Sequence, residues 1–146
     1  NKLKSIIFKG NILDKDVLLS KPTTMMNNSG DSVRLIKKYY KISHENIFVF
    51  HDELDLETAR VKFKFSGSSA GHNGIKNIDQ NIGNNYFRIR VGINNKRKNF
   101  NSSKYVLNKF DKDETLRVAE KIILINKNLK YIFNKDINNF MNIINS

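Results

Sequence analysis

The spacing of apolar and polar positions changes along this chain, and each change predicts a switch between strand and helix. Lys4–Lys9 and Asp16–Ser20 read as two strands joined across a turn at Gly10–Asp14. From Asn28 to Lys41, Val33, Ile36 and Tyr40 recur at helical spacing with Leu35 and Tyr39 flanking them, and Ser29 or Asp31 stands where an N-cap belongs. Asn46–His51 is an apolar run that turns polar at its end, the pattern of a central buried strand. Arg60–Phe65 alternates strictly, with Val61, Phe63 and Phe65 on one face and Arg60, Lys62 and Lys64 on a basic wet face. A Gly/Ser/Ala-rich loop, Ser66–Gly71, precedes a short helix over Asn73–Ile82. Phe87–Ile93 alternates again, with Arg88 and Arg90 on one side. Asp111–Asn126 reads as a helix with an apolar face of Leu116, Ala119, Ile122 and Ile123, and Tyr131–Ile144 as a terminal helix. Strands interleaved with helices predict an α/β fold with a mixed sheet.

Composition narrows the reading. At 146 residues, 39% hydrophobic and 10% aromatic, the chain is sized for one domain with one core. Its longest apolar runs, Ile47–Phe50 and Ile122–Ile125, fall far short of the roughly 20 residues of a membrane-spanning helix. With no Cys, disulfides, thiol catalysis and Cys-based zinc sites are excluded.

Charge changes the picture further. Lys and Arg number 26 against 14 Asp and Glu, a formal net charge of +12. Lys, Asn and Ile are abundant throughout, so the position of the charge matters more than its total. From Thr58 to Phe110 the single acid is Asp79, against eleven bases: Arg60, Lys62, Lys64, Lys76, Arg88, Arg90, Lys96, Arg97, Lys98, Lys104 and Lys109. Just before it, Asp52, Glu53, Asp55 and Glu57 put four acids within six residues. A basic stretch beside an acidic island points to an anionic partner inside the cell.

Three segments carry candidate chemistry. His51-Asp52-Glu53-Leu54-Asp55 falls at the expected carboxyl end of a strand, where open α/β sheets bind ligands. A carboxylate there can orient a catalytic His, ligate a metal, or simply cap the next element. Ser66–Gly74 is a small-residue loop running into a helix N-terminus. Its Gly71 and Gly74 bracket His72 and Asn73, and the helix start offers free N–H groups. It lacks the Lys-Ser/Thr ending of a P-loop, which excludes that assignment. Pro22–Gly30 joins two Met to adjacent amides, a pairing suited to a cleft. A capping turn accounts for Asn28 and Ser29 but less well for Met25 and Met26. His51, Asp52, Asp55 and His72 offer metal-ligating atoms without the His-x-x-x-His or Glu-x-x-His spacing that fixes ligands on one face.

In this order the three segments resemble bacterial peptidyl-tRNA hydrolase. That family carries Pro-x-Thr-[Phe/Tyr]-Met-Asn-x-Ser-Gly, seen here as Pro22–Gly30 with Met25 at the aromatic position. It carries His-Asp-Glu-Leu-Asp-Leu, identical at His51–Leu56, and a Gly-rich loop ending Gly-His-Asn-Gly, present as Gly71–Gly74. The strand Phe87–Ile93 fits as well. Departures are the Ser/Ala-substituted loop and Asn94-Asn95, where the family has Gly-[Arg/His]-Pro. The resemblance implies a three-layer α/β/α sandwich around a twisted mixed β-sheet. It implies hydrolysis of the ester joining a peptide to the 3′-terminal ribose of tRNA, which recycles tRNA from stalled or aborted translation.

Residue by residue, Asp52 matches the carboxylate that supports a general-base His. Asn27 and Asn73 match amides that bind the 3′ end and peptide backbone, and His72 matches a supporting cleft residue. Met25 and Met26 match the cleft floor, and Lys64 and Arg90 match the clamp on the tRNA 5′-phosphate at the acceptor stem. The expected protein is a cytoplasmic monomer that uses no metal or cofactor and binds neither membrane nor DNA. The family opens with Gly-x-Gly-Asn-Pro-Gly and Thr-Arg-His-Asn, the latter holding the general base, and no segment here matches either. The expectation is therefore a single domain over residues 1–146, N-terminally incomplete and impaired in hydrolysis on its own. Two rivals are a non-catalytic RNA-binding relative, disfavoured because phosphate binding requires none of Asp52, Asn27 and Asn73, and a metal-dependent hydrolase using the acidic island.

Overall fold

The computed structural model describes residues 1–96 and 106–146. Arg97, Lys98 and Lys104 of the basic stretch lie outside the described residues. The chain divides into two compact units, Asn1–Ile47 with Phe65–Tyr86 and Phe48–Lys64 with Phe87–Ser146.

In the first unit, β1 (Ser5–Ile12) and β2 (Lys15–Pro22) form an antiparallel hairpin. Ile12 pairs with Lys15, so the turn is only Leu13-Asp14, with φ of 51° and 60°. Positive φ at both central residues matches the turn's twist to that of the strands. Gly10 is therefore not a turn residue; it pairs with Val17 in mid-strand. A 3-10 turn, Met26–Asn28, leads into α1 (Ser29–Tyr39). Neither expected cap forms. Ser29 donates its hydroxyl back to the Met26 carbonyl at 2.8 Å, and Asp31 pairs with Lys4 at 3.2 Å. Helix α2 (Asn73–Ile82) has the bounds its pattern predicts and buries Ile75 and Ile78. It packs against α1 through polar bonds: the Gly30 N–H donates to Asn77 Oδ1 at 2.7 Å, and Arg34 Nε to Asn81 Oδ1 at 3.2 Å. A Cβ on Gly30 would overlap the Asn77 carbonyl, so only glycine permits this approach.

The second unit holds a three-stranded sheet in the order β3 (Phe48–Glu57), β5 (Phe87–Asn94), β4 (Val61–Phe65). β3 runs parallel to β5. Hydrogen bonds joining Arg60 to Gly92 and Ser66 to Tyr86 run β4 antiparallel to it, so the sheet is mixed and the fold is α/β. The central strand is β5, not the apolar run at Asn46–His51. Phe50 of β3 is 52% exposed, whereas Phe87, Arg88 and Ile89 are all buried. Position in the pairing order, which a single strand's hydrophobicity does not encode, decides which strand is covered on both faces.

One sheet face packs Val61, Phe63, Phe87 and Ile89 against Ile125, Ile132, Phe140 and Ile144. These come from α3 (Lys112–Lys127), α4 (Leu129–Phe133) and α5 (Ile137–Ile144). Helix α3 begins with a capping box: Asp111 accepts from the Glu114 N–H and Glu114 from the Asp111 N–H, both at 2.8 Å. Its covered face runs through Glu114, Val118, Lys121 and Ile125. The expected face is wrong, since Leu116, Ile122 and Ile123 are each at least half exposed. The helix has apolar residues on two sides, and insertion of Ile125 into the core selects between them. The expected terminal helix is also two, broken where Lys135 takes φ 58° and Asp136 caps α5.

Candidate functional site

Within the first unit, the two motifs rich in Gly and Asn meet. A Cβ on Gly74 would sit 2.6 Å from Met26 Sδ and 3.2 Å from the Met26 carbonyl oxygen, so the Met26–Asn28 turn rests directly on the start of α2. Asn27 and Asn73 flank that contact in the chain, and both are exposed, as are Met25 and Met26. His72 Nδ1 accepts the Ile75 N–H at 3.2 Å and caps α2. An accepting Nδ1 puts the proton of the neutral ring on Nε2, which makes His72 a hydrogen-bond donor rather than a base at that atom. Met26, His72 and the two amides are thus brought to one exposed, uncharged patch.

The second unit holds the charged candidates. His51–Asp55 was expected where a strand ends, but β3 continues to Glu57 and the segment lies inside it. Parallel pairing sets His51 against Arg90, Asp52 against Val91 and Glu53 against Gly92, with an irregularity before Glu57 pairs with Asn94. Gly92 makes room for that irregularity, because a Cβ there would overlap the Glu57 carbonyl. Asp52 is half-buried, and its carbonyl accepts from His51 Nδ1 at 2.8 Å. Glu53 is 5% exposed, and its Oε1 accepts from Arg90 Nε at 2.6 Å and from Arg90 Nη2.

This pairing was missed from sequence, although an Arg on a strand buried on both faces must find an acid, and four acids lay close by. Arg88, expected on one side of its strand with Arg90, is 1% exposed. Lys64 is half-buried. Burial, then the neighbouring Arg90 and Arg88, hold its ammonium below the ordinary lysine value. Among the described residues no acid forms an ion pair with Lys64. Lys64 and Arg90 are therefore brought together in a positive field offset by one carboxylate. Among the described residues, no three His, Asp or Glu side chains gather as a metal cage requires. No described helix is long and apolar enough to cross a membrane.

The chain is thus an α/β protein with exposed amides at a helix start in one unit and half-buried cations on a mixed sheet in the other. The comparisons with known proteins narrow that description. The family model described as peptidyl-tRNA hydrolase matches residues 1–146. The peptidyl-tRNA hydrolase of Pelagibacter ubique is 46% identical over 147 residues, covering 94% of this chain and 78% of that protein. The one from Rickettsia canadensis is 43% identical over 141 residues, covering 97% of this chain and 76% of its own. The crystal structure of peptidyl-tRNA hydrolase from Acinetobacter baumannii superimposes with a TM-score of 0.89 at 35% identity, over 99% of this chain and 74% of that one. The chain belongs to the peptidyl-tRNA hydrolase family.

Proposed function

We propose that the protein hydrolyses the ester bond of peptidyl-tRNA, releasing tRNA and peptide, with the residues above in the roles their motif positions imply. Family membership supports the reaction and disfavours a purely RNA-binding role. The observation that carries the substrate is the cationic site around Lys64. Burial first, and then the neighbouring Arg90 and Arg88, lower the Lys64 ammonium, and the like-charge part of that field is relieved by a bound phosphate.

Lys64 and Arg90 accordingly take the 5′-phosphate at the acceptor stem. Such contacts position the tRNA without reading its sequence, which suits an enzyme that must accept many tRNAs. Asn27 and Asn73 hold the 3′ end and peptide backbone and polarise the scissile carbonyl. Met25 and Met26 provide an apolar floor, and His72 donates from Nε2. Asp52 holds the tautomer of the general-base His and stabilises the imidazolium as water is activated. The family carries that His in a segment that residues 1–146 do not match. The protein acts as a cytoplasmic monomer, where charged tRNA is made and used.

The test is release of N-acetylaminoacyl residues from tRNA, with unblocked aminoacyl-tRNA as control and EDTA in a parallel series. Selective cleavage of the blocked substrate, unchanged by EDTA and slow for residues 1–146 without the segment that carries the general base, is expected. Activity lost in EDTA and restored by a divalent metal would replace this mechanism with metal-assisted hydrolysis.

A further inference from the structure

The phosphate reading leaves the buried charge of Glu53 without a role. Glu53 is almost wholly withdrawn from water, and an ionised carboxylate there is tolerated only when paired and hydrogen-bonded. It is paired with the clamp itself. Oε1 takes both Nε–H and an Nη2–H of Arg90, and Oε2 faces the Asp55 N–H at 3.4 Å. The first contact consumes one edge of the guanidinium fork and leaves the other edge as the free donor set. The second ties the same carboxylate to the irregular stretch of β3 that follows Asp52.

Register explains why Glu53 has this role rather than its acidic neighbours. It pairs with Gly92, two residues along β5 from Arg90, so the two side chains share a face. Asp52 pairs with Val91 and projects to the opposite face. An unpaired arginine would sample many rotamers and lose that freedom on gripping phosphate. Held by Glu53, Arg90 is ordered in advance. The acid also offsets one of the three cations, Lys64, Arg88 and Arg90, crowded on β4 and β5.

We propose that Glu53 is a positioning residue for substrate recognition, orienting the Arg90 guanidinium so that its free edge grips the terminal phosphate of tRNA. This rests on the assignment of Lys64 and Arg90 as the phosphate clamp. Glu53 itself does not touch the phosphate; it acts through Arg90.

The experiment compares the affinity of the 146-residue chain for a tRNA acceptor minihelix with a 5′-phosphate and for the same RNA with a 5′-hydroxyl. The wild-type chain is expected to favour the phosphorylated form by about tenfold, as a bidentate charge-assisted contact implies. Arg90→Ala should bring that ratio to about one. Glu53→Gln, which keeps size but not charge, should lower it to about threefold or less while leaving affinity for the 5′-hydroxyl RNA largely intact. A Glu53→Gln chain that keeps the full ratio overturns the proposal. A wild-type chain with no preference instead overturns the clamp reading on which it rests.

Should Glu53→Gln fail to fold, Glu53→Asp retains the charge but is too short to hold Arg90, and it should lose the same preference. An independent readout is the Arg90 Nε–H resonance in a nitrogen-15 spectrum. It should be slow to exchange in the wild type before any RNA is added. Rapid exchange there would show that Glu53 does not order the guanidinium and would also overturn the proposal.

Discussion

The uncharged patch of the first unit and the charged sheet of the second are held in place by different forces. Around Met26, Gly74 and His72, position comes from backbone contact: a turn lies on a helix start, two glycines allow the approach, and an imidazole nitrogen caps the helix. Around Arg90, position comes from charge: the buried Glu53 carboxylate is tolerable because Arg90 pairs with it, while Arg90 and Arg88 work against the Lys64 ammonium beside them. The first arrangement fails when shape changes, and the second when a charge is removed.

The largest effect expected follows from that contrast. Arg90→Ala strands the Glu53 carboxylate and should lower unfolding free energy by about 3–5 kcal/mol, as removing one partner of a buried ion pair does. Lys64→Ala removes a half-buried ammonium that has no ion partner among the described residues, and it should leave stability unchanged or slightly raised. Both should weaken tRNA binding and reduce the slope of log affinity against log salt by about one. Urea unfolding beside a salt titration separates them, and equal stability losses would break the distinction drawn between the two cations.

Next in size, Gly30→Ala drives a methyl into the Asn77 carbonyl and should destabilise by about 1–3 kcal/mol, the range for overpacking. It should lower hydrolysis of blocked aminoacyl-tRNA with no change in the salt slope. A changed slope would show that the first unit also carries charge recognition.

The smallest effect is in pH. The Lys64 ammonium lies below the ordinary lysine value of 10.5, chiefly through burial and then through Arg90 and Arg88. A cation with a lowered value costs stability while charged. That cost is present at neutral pH and is relieved as pH climbs through the lowered value toward 10.5. Affinity for tRNA moves the other way and should decline over the same window, earlier than an unperturbed lysine would allow. Lys64→Arg should retain affinity there. Identical alkaline profiles for the two proteins would remove Lys64 from the clamp.

Local structure was legible in part: the turn at Leu13-Asp14, the start of α1 and the break at Lys135 were not, but other element bounds were. Small residues before Asn73 and Gly83 after Ile82 bound α2, and Asp111 with Glu114 begins α3. The alternation through Arg60–Phe65 puts Val61 and Phe63 in the core, though Phe65 at its end is 45% exposed. The three ordered motifs name the family, and with it Asn27, Asp52, Asn73, Lys64 and Arg90 as the groups to examine.

What the sequence determined by itself was therefore the set of elements, the α/β class and the family. Only the tertiary structure decided which strand is central, which side of α3 is covered, and that Glu53 holds Arg90. The reason is physical. Capping and periodicity are set by neighbours within a few residues, whereas strand order and ion-pair choice depend on groups tens of positions apart. Four acids stand within six residues of each other. Only the parallel register of β3 on β5 sets Glu53, and not its acidic neighbours, beside Arg90 on the same face.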